Sequence, residues 1–536
     1  MKVWDSIKCW ADAAPNRRSI VPLSYRSLRN AIASCCESLP EIEGKRVALF
    51  MGNRALWGIY DIALTLKGAV VVPVPTFFSA GQAEHIIKDA GIELAIIESR
   101  EFASTKGLSE VFNGLQIIEA DQSLEKDECE ERDCRNIGQS YNGPLDTDRV
   151  AKIIYTSGTT GNPKGVMIKL SAMEAVTKSL IDRSGANMSD RHLSLLPLST
   201  LVETIGGLYA PLTAGSSIWY PASSSPEDIL FNPQGLAKCL ADVAPTTLNL
   251  VPSLLGAIIG SVNSGGKIPG SLRFVAIGGA PLHPALSARA GELNIPLHEG
   301  YGLSECSSVV ALNEKGPGKE GSVGRILDHA KVEISDEGEI IVYGKGVMAG
   351  YTNSSIKSPE KIETGDLGYI DEEGYLFITG RKDNLILTSQ GRNVSPEWVE
   401  SVLLTSPAIG QVMVYGNGEG RVSAVIVPQA RWFQEQVEGF KLQGEGKELT
   451  DHAKLIEAMF RQVEEASAQL PGYAKVQDIR ISHEPFSIMN GLMGGDGRMM
   501  RKNILQFVAN AVKVDKAGFE DKTSFKNMEN GGLTPP

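Results

Sequence analysis

The chain has 536 residues, of which 42% are hydrophobic and 22% are charged. This length exceeds what one hydrophobic core organises, so the composition predicts a globular protein with two or more domains. The formal net charge of −12 argues against general nucleic-acid binding, which requires a basic face.

Targeting and membrane signals are weak throughout the sequence. No apolar run reaches the length of about 18 residues that a membrane span requires, and the N-terminus lacks the apolar segment of a signal peptide. The seven cysteines show no metal-binding spacing, which favours reduced thiols. The sequence therefore predicts a cytoplasmic protein without a transmembrane segment. Peripheral membrane contact stays open, although no basic amphipathic helix stands out, and so does the oligomeric state.

The first 145 residues alternate helical patterns with short apolar strands. The predicted helices are residues 4–14 and 25–39, and the predicted strands are 46–50, 69–74 and 94–97. This alternation implies βαβ units around a largely parallel sheet. Residues 121–135 are mostly charged and predict a solvated loop. The α/β rhythm resumes from residue 147 to about 330.

The pattern changes beyond residue 330. Short alternating strands split by glycines up to residue 378 predict a small β-barrel-like or antiparallel subdomain. A separate α/β region follows, with predicted strands at 411–415 and 422–427 and predicted helices at 395–405 and 452–469. We therefore expect an α/β fold with a large N-terminal domain (1–380), made of two α/β subdomains and the small β subdomain. A small mobile C-terminal α+β domain (381–515) and a polar, disordered tail (516–536) complete the prediction.

The most informative segment follows a predicted strand at residues 150–154. Residues 155–165 read Tyr-Thr-Ser-Gly-Thr-Thr-Gly-Asn-Pro-Lys-Gly, which we interpret as one loop. Its glycines let the backbone approach a bulky anion, its hydroxyl and N–H groups donate to phosphate oxygens, and Lys164 adds a positive charge. It is not a Walker A loop, since the lysine precedes the last glycine. A bare Ser/Thr/Gly loop is often a surface turn, but this ordered block predicts binding of nucleotide phosphates.

The block resembles the phosphate-binding signature of the adenylate-forming (ANL) superfamily, which includes acyl-CoA synthetases, peptide-synthetase adenylation domains and luciferases. Three further motifs occur in the order and approximate spacing of that family: Glu299-Gly-Tyr-Gly-Leu-Ser-Glu305, Thr364-Gly-Asp366 and Gly380-Arg-Lys-Asp-Asn384. The similarity extends over about residues 1–510. The segment Phe486-Ser-Ile-Met-Asn-Gly-Leu makes the chain most similar to AMP-forming long-chain fatty acyl-CoA and acyl-ACP synthetases.

The resemblance implies a site for ATP. Tyr301 would stack on adenine, with Gly300 and Gly302 allowing a close approach, while Asp366 would accept the ribose hydroxyls with Arg381 as its partner. The full set of implied nucleotide-binding residues is Thr156, Ser157, Gly158, Thr159, Thr160, Gly161, Gly279, Ala280, Gly300, Tyr301, Gly302, Ser304, Asp366 and Arg381.

The resemblance also implies the catalytic groups. Glu305 and Thr156 would bind Mg²⁺, for which a carboxylate is a suitable hard ligand. Lys164, Glu305 and Arg498 are the implied catalytic residues. The family carries a lysine in its final motif, and Arg498 occupies that place when the segment 490–502 is aligned at both ends. Three interpretations stay open: Arg498 replaces the lysine, Lys502 reaches the site, or adenylation is weak.

The implied reaction is ATP-dependent activation of a fatty acid to acyl-AMP with release of pyrophosphate. The acyl group would then pass to a thiol, either coenzyme A or the phosphopantetheine arm of an acyl carrier protein. The segment 196–203 resembles the family's Leu-Pro-x-x-His motif with Thr200 in place of His, and Gly206 and Gly207 are candidates to line an acyl channel. Two alternatives stay open: a non-catalytic adenylate-binding homologue, and a ligase whose acyl-AMP serves a different acceptor.

Overall fold

A computed structural model of the protein describes most of the chain. The described residues are 1–127, 146–156, 163–221, 232–263, 265–314, 318–354, 358–416, 420–442, 453–482, 484–487, 490–494 and 499–513. The predicted disordered tail lies outside them.

Helices account for much of the described chain. In chain order they are α1 (Lys2–Ala13), α2 (Tyr25–Ser38), α3 (Ala55–Leu66), α4 (Ala80–Ala90), α5 (Arg100–Thr105), α6 (Leu170–Ser184), α7 (Leu201–Glu203), α8 (Ala210–Ala214), α9 (Pro233–Val243), α10 (Pro252–Asn263), α11 (Pro284–Glu292), α12 (Pro396–Leu403), α13 (Ala430–Phe440), α14 (Ala453–Ala466) and α15 (Arg501–Lys513). A π-helical turn, Thr204–Tyr209, connects α7 to α8.

Strands are short, mostly of two to seven residues. In chain order they are β1 (Arg46–Phe50), β2 (Val70–Pro73), β3 (Leu94–Ile97), β4 (Gln116–Glu119), β5 (Val150–Thr156), β6 (Lys164–Lys169), β7 (Arg191–Leu193), β8 (Ser217–Trp219), β9 (Thr247–Leu250), β10 (Phe274–Ile277), β11 (Leu297–Leu303), β12 (Ser308–Leu312), β13 (Arg325–Ile326), β14 (Ala330–Ile334), β15 (Glu339–Gly344), β16 (Gly350–Tyr351), β17 (Lys361–Ile370), β18 (Leu376–Arg381), β19 (Ile386–Leu387), β20 (Asn393–Val394), β21 (Ile409–Gly416), β22 (Val422–Pro428) and β23 (Asp478–Ile481).

The chain divides into two compact units. The larger contains Met1–Gly278, Arg289–Thr364 and Tyr369–Phe377. The smaller contains Gly279–Ala288, Gly365–Gly368 and the chain from Ile378 onward.

Two seven-stranded sheets organise the larger unit. Their strand orders are β16-β6-β5-β2-β1-β3-β4 and β13-β12-β11-β10-β9-β7-β8. In each, a run of parallel strands ends in antiparallel pairs: β5 with β6 and β6 with β16 in the first, β11 with β12 and β12 with β13 in the second. Parallel strands covered on both faces require continuous apolar runs, which explains why β3 is buried at every position.

A fully buried ion pair joins the first sheet to α3. Lys152 in β5 and Asp61 in α3 both have side chains that are 0% exposed, and the lysine ammonium bonds to the carboxylate. The Tyr209 hydroxyl donates to the second carboxylate oxygen at 2.7 Å. The Lys152 ammonium also lies 5.4 Å from the Trp57 ring centroid. This cluster connects α3, the π-helical turn and the strand that leads into the predicted phosphate loop.

Residues 330–381 form a four-stranded sheet with the order β14-β15-β17-β18. Strands β14 and β15 pair antiparallel with an alternating register from Ala330↔Gly344 to Ile334↔Ile340. This sheet occupies the position of the predicted small β subdomain.

The smaller unit has a core of its own. Strands β21 and β22 pair antiparallel, β22 and β23 pair parallel, and buried side chains of α12 and α14 belong to the same hydrophobic cluster. Along α14 the buried residues are Leu455, Met459 and Val463, and this spacing of four places them on one helical face. This agrees with the α+β pattern expected after residue 381.

One predicted loop is partly wrong. Within the charged segment 121–135, Gln122–Glu125 form a 3₁₀ turn whose Leu124 is buried. Glu125 accepts bonds from the Arg54 guanidinium, with Nε at 3.1 Å from each carboxylate oxygen. A run of charges is solvated only where no distant cation meets it, and Arg54 was not identifiable as that cation from the local sequence. Residues 128–135 lie outside the described residues.

Candidate functional site

Both ends of the predicted phosphate loop belong to strands. Tyr155 and Thr156 end β5, and Lys164 and Gly165 begin β6, with the register Tyr155↔Gly165 and Thr156↔Lys164. Lys164 is therefore a strand residue, and its side chain is exposed. The hydroxyl and glycine positions Ser157, Gly158, Thr159, Thr160 and Gly161 lie outside the described residues.

A tyrosine connects Lys164 to Glu305. Tyr351 in β16 pairs with Val166 of β6, and this register places its ring 5.9 Å from the Lys164 ammonium. The Tyr351 hydroxyl donates to Glu305 Oε1 at 2.8 Å. Burial, and then the Glu305 charge, raise the pKa of Tyr351, so that the hydroxyl stays neutral and donates. The structure thus brings together two of the predicted catalytic residues, Lys164 and Glu305, through Tyr351, which no sequence motif marks.

Glu305 lies in a tightly constrained turn. Residues Ser304–Cys306 form a 3₁₀ turn, and the Met348 N–H donates to the Glu305 carbonyl at 2.8 Å. The next two residues have positive φ angles, 56° at Ser307 and 98° at Ser308. Non-glycine residues in such conformations cost on the order of 1–3 kcal/mol each and cluster at functional sites. The Ser307 hydroxyl, which donates to the Gly346 carbonyl at 2.6 Å, helps to hold this turn.

The glycines around Tyr301 have a packing role. Tyr301 lies in β11 and pairs with Ala311 of β12, next to a register shift between Tyr301 and Gly302. A Cβ atom on Gly302 would lie 1.6 Å from the Ser308 carbonyl oxygen. The close approach of the neighbouring strand therefore requires this glycine, whereas the sequence motif alone indicates the close approach of a ligand.

Glu299, at the start of the same motif, has an unusual acidity. Desolvation raises its pKa from the usual value of 4.5 to about 7. Because the folded state holds the proton more tightly than the unfolded state, the stabilising contribution is complete below pH 4.5 and is lost as the pH rises through 7.

This pH dependence gives a direct prediction for Glu299→Gln. The variant should gain stability relative to the unmodified protein between pH 5 and pH 8, by on the order of 3 kcal/mol, measured as the free energy of urea unfolding. Glu292→Gln is the matched control, since the Glu292 side chain is 64% exposed. Equal pH slopes for the unmodified protein and Glu299→Gln would contradict the prediction.

The predicted ribose-binding pair lies in the smaller unit. Arg381 Nε donates to Asp366 Oδ1 at 2.7 Å, and the Asp366 side chain is only 14% exposed. Lys382 and Asp383 follow in an exposed 3₁₀ turn. Gly279, with a φ of 82°, and Ala280 come directly after β10, in the segment that belongs to this unit.

The basic residues near the C-terminus have different surroundings. Arg501 donates from Nη2 to Glu400 at 2.8 Å and to Glu397 at 3.1 Å, and from Nη1 to the Val414 carbonyl at 2.9 Å. This network gives Arg501 a structural role at the start of α15. Lys502 is exposed. Arg498 lies outside the described residues, so its prediction is not tested by geometry.

The segment 196–203 contains a buried polar cluster. Glu203 is 0% exposed, and its carboxylate meets His192 Nε2 at 3.2 Å and Asn249 Nδ2 at 3.0 Å. A Cβ atom on Gly207 would lie 2.3 Å from Glu203 Oε1, so this glycine packs against the carboxylate. The Thr200 hydroxyl bonds to the Pro197 carbonyl at 2.7 Å. The side chains around this motif are therefore polar, whereas the predicted acyl channel requires an apolar lining.

Magnesium would fit a site built around Glu305. Among the described residues, no group of three or more His, Cys, Asp or Glu side chains is arranged to hold a metal ion. Mg²⁺ bound to a nucleotide needs only one or two protein ligands, because phosphate oxygens and water complete its coordination. A single half-buried carboxylate such as Glu305 satisfies that requirement. No helix in the described part of the chain is long and apolar enough to cross a bilayer.

Comparisons with protein families cover both units. Residues 9–352 match the model of AMP-binding enzymes, and residues 383–510 match the model of the AMP-binding enzyme C-terminal domain.

Two curated relatives are similar over most of the chain. The long-chain-fatty-acid–CoA ligase FadD15 of Mycobacterium bovis is 27% identical over 494 residues, which cover 81% of this chain and 79% of that protein. The 2-succinylbenzoate–CoA ligase of Enterococcus faecalis is 30% identical over 406 residues, which cover 72% and 78%.

Solved structures share the fold. The anthranilate CoA ligase AuaEII in complex with anthranoyl-AMP matches with a TM-score of 0.76 and 19% identity, over 95% of this chain and 98% of that one. The O-succinylbenzoate coenzyme A synthetase of Bacillus subtilis, in complex with ATP and magnesium ion, matches with a TM-score of 0.69 and 24% identity, over 93% and 98%. These matches confirm the predicted α/β fold with a large N-terminal and a smaller C-terminal domain.

Proposed function

Because the chain belongs to the AMP-binding enzyme family, as its motifs predicted, we propose that it is an AMP-forming acid–thiol ligase. A carboxylate oxygen of the acid attacks the α-phosphorus of ATP, and the bond from that phosphorus to the bridging oxygen breaks to release pyrophosphate. The thiolate of coenzyme A then attacks the acyl carbon of the acyl-AMP, and AMP leaves with the electrons of the broken C–O bond.

The arrangement of Lys164, Tyr351 and Glu305 is the observation that carries this proposal. The first step brings two anions together, so it requires positive charge and alignment. Lys164 supplies a positive charge beside the phosphate-binding segment, and Tyr351 restrains the Glu305 carboxylate through its 2.8 Å hydrogen bond. Glu305 and Thr156 would hold Mg²⁺, which supplies further charge neutralisation when bound.

The nucleotide contacts extend the proposal to other predicted residues. Tyr301 would contact adenine and Asp366 the ribose hydroxyls, with Arg381 oriented by its 2.7 Å contact to Asp366. We also propose that residues 1–380 form the adenylation domain and 381–515 the lid domain. The exposed turn at Lys382 and Asp383 would then be the hinge at which the lid domain rotates between the two half-reactions.

For the substrate we propose a fatty acid. The name of the Mycobacterium bovis relative specifies long-chain fatty acids, whereas the Enterococcus faecalis relative is named for an aromatic acid. Pyrophosphate exchange into ATP tests the choice, using acids of two to eighteen carbons beside 2-succinylbenzoate and anthranilate, each with and without Mg²⁺. Exchange with fatty acids supports the proposal, and exchange with the aromatic acids alone contradicts the proposal that the substrate is a fatty acid. If none of the acids supports exchange, the proposal that the protein is an acid–thiol ligase is wrong.

The acceptor is tested in the second half-reaction. Coenzyme A and the phosphopantetheine arm of a carrier protein offer the same thiol, and we propose coenzyme A because both curated relatives are named as CoA ligases. Acid-dependent AMP release should rise when coenzyme A is added. If AMP release rises only with an acyl carrier protein that bears a free phosphopantetheine thiol, the carrier protein is the acceptor.

Arg498, which stands where the family carries a lysine, is the observation behind a second candidate, an adenylate-binding protein without turnover. If Arg498 performs the role of the family's lysine, Arg498→Lys should lower pyrophosphate exchange by about tenfold, because a bidentate guanidinium is replaced by a point charge. A gain of similar size would instead indicate a degenerate site and support the second candidate. Lys502→Gln, measured in parallel, tests whether the exposed Lys502 contributes.

A further inference from the structure

One face of α4 contacts both described ends of the proposed phosphate-binding segment, residues 155–165. His85 Nε2 lies 2.9 Å from the Pro163 carbonyl oxygen, on the side where the segment enters β6. The Asp89 carboxylate accepts the Tyr155 hydroxyl at 2.6 Å, on the side where the segment leaves β5. Residues four apart lie above one another on a helix, so His85 and Asp89 act from the same face.

Asp89 also binds the strand that carries Tyr351. The Thr352 hydroxyl donates to Asp89 Oδ2 at 2.6 Å, and the Asn353 amide donates to Asp89 Oδ1. One carboxylate therefore fixes the end of β5 and the residues immediately after β16. Hydrogen bonds to an ionised acceptor are about twice as strong as neutral ones, which makes this an effective anchor.

The position of Asp89 is unfavourable for the helix itself. It is the penultimate residue of α4, whose C-terminal end carries the negative pole of the helix dipole. A carboxylate there weakens the helix, and none of the three groups that donate to it among the described residues is cationic. Such a residue is explained by its partners, all of which lie beside the phosphate-binding segment.

The residues around these contacts are closely packed at Gly165. A Cβ atom on Gly165 would lie 2.7 Å from Thr352 Cγ2 and 2.8 Å from Tyr155 Cζ. The Thr352 N–H donates to the Gly165 carbonyl at 2.9 Å. A shift of Asp89 is therefore transmitted through Tyr155 and Thr352 to the backbone next to Lys164.

We propose that His85 and Asp89 are positioning residues that hold the two ends of the phosphate-binding segment, so that affinity for the polyphosphate of ATP depends on them while affinity for the nucleoside monophosphate does not. The inference rests on the proposed function only for the identity of the nucleotide.

The test compares two nucleotides on the full chain by isothermal titration calorimetry. Asp89→Ala removes all three hydrogen bonds, and we expect it to weaken binding of ATP with Mg²⁺ by about tenfold or more, with AMP binding unchanged within error. Asp89→Asn keeps an acceptor for both hydroxyls, so it should restore most of the ATP affinity. Tyr155→Phe removes a single bond and should give a smaller loss, again for ATP only.

A structural aspartate of the same unit provides the matched control. Asp190 is buried and pairs with Arg273, and its carboxylate accepts hydrogen bonds from the Asn187 N–H and the Thr246 hydroxyl. Asp190→Asn should lower stability without changing the ratio of the ATP affinity to the AMP affinity. Equal losses of ATP and AMP affinity in Asp89→Ala, or unchanged ATP affinity, would overturn the proposal.

The result is distinguishable from failure of the proposed function. Selective loss of ATP affinity in Asp89→Ala supports the positioning role even if the unmodified protein exchanges no pyrophosphate with any acid. Conversely, an active ligase whose ATP and AMP affinities are insensitive to Asp89→Ala retains the function and refutes the positioning role.

Discussion

Glu305→Gln is expected to lower Mg²⁺-dependent pyrophosphate exchange by about 100-fold or more. The amide keeps the shape of the side chain and an oxygen for the Tyr351 hydroxyl, which donates at 2.8 Å, but it loses the negative charge that a hard cation requires. Binding of AMP should be unchanged, because AMP lacks the β- and γ-phosphates, which would bind the cation together with Glu305. The measurements are initial exchange rates across a Mg²⁺ titration and AMP affinity by calorimetry.

Tyr351→Phe is the matched control for the Glu305 prediction. It removes the hydrogen bond to Glu305 but keeps the ring near the Lys164 ammonium. We expect a loss of about tenfold, the lower limit for one hydrogen bond to a charged group and smaller than the loss in Glu305→Gln. A Glu305→Gln protein that exchanges pyrophosphate at the unmodified rate would remove Glu305 from the proposed metal site.

The largest expected loss of stability comes from Lys152→Met. The substitution leaves the Asp61 carboxylate, which is 0% exposed, without its cation and with the Tyr209 hydroxyl still donating at 2.7 Å. Breaking a buried pair on one side costs about 3–5 kcal/mol. The measurement is the free energy of unfolding of the larger unit in urea.

Two further variants separate charge from packing at this position. Lys152→Met combined with Asp61→Asn removes both charges and keeps an acceptor for Tyr209, so it should recover most of the lost stability. Lys238→Met is the surface control: Lys238 is 77% exposed and pairs with Asp242 within α9, so its loss should leave the free energy of unfolding almost unchanged. If Lys152→Met is no more destabilising than Lys238→Met, the buried pair contributes nothing.

Much of the fold is predictable from local patterns in the sequence. Residues 46–50 and 94–97 were expected as strands and form β1 and β3 with those bounds. Apolar β-branched runs bounded by polar residues have few alternatives when both faces are covered. The same holds for α14, where apolar residues recur every four positions. The ends of the phosphate block were misjudged, because Lys164 pairs across to Thr156 and no local signal marks that pairing.

The contacts that organise the candidate site are not local. Glu305 and Tyr351 are 46 residues apart, and Asp89 is 263 residues from Thr352. A motif search finds residues with recognisable neighbours in the sequence, such as Glu305. It does not find Asp89 or Tyr351, whose importance lies in their partners in space. Glu203 is a similar case, since Asn249 is 46 residues away.

The two-residue strand β16 has a consequence for the design of fragments. It is the outermost strand of its sheet, and it pairs with Val166 and Met167 of β6. A truncated chain that ends before Gly350 would leave that side of β6 with unpaired N–H and C=O groups, which is a template for self-association. A soluble fragment of the larger unit therefore has to extend through Thr352, whose N–H completes the pairing with Gly165.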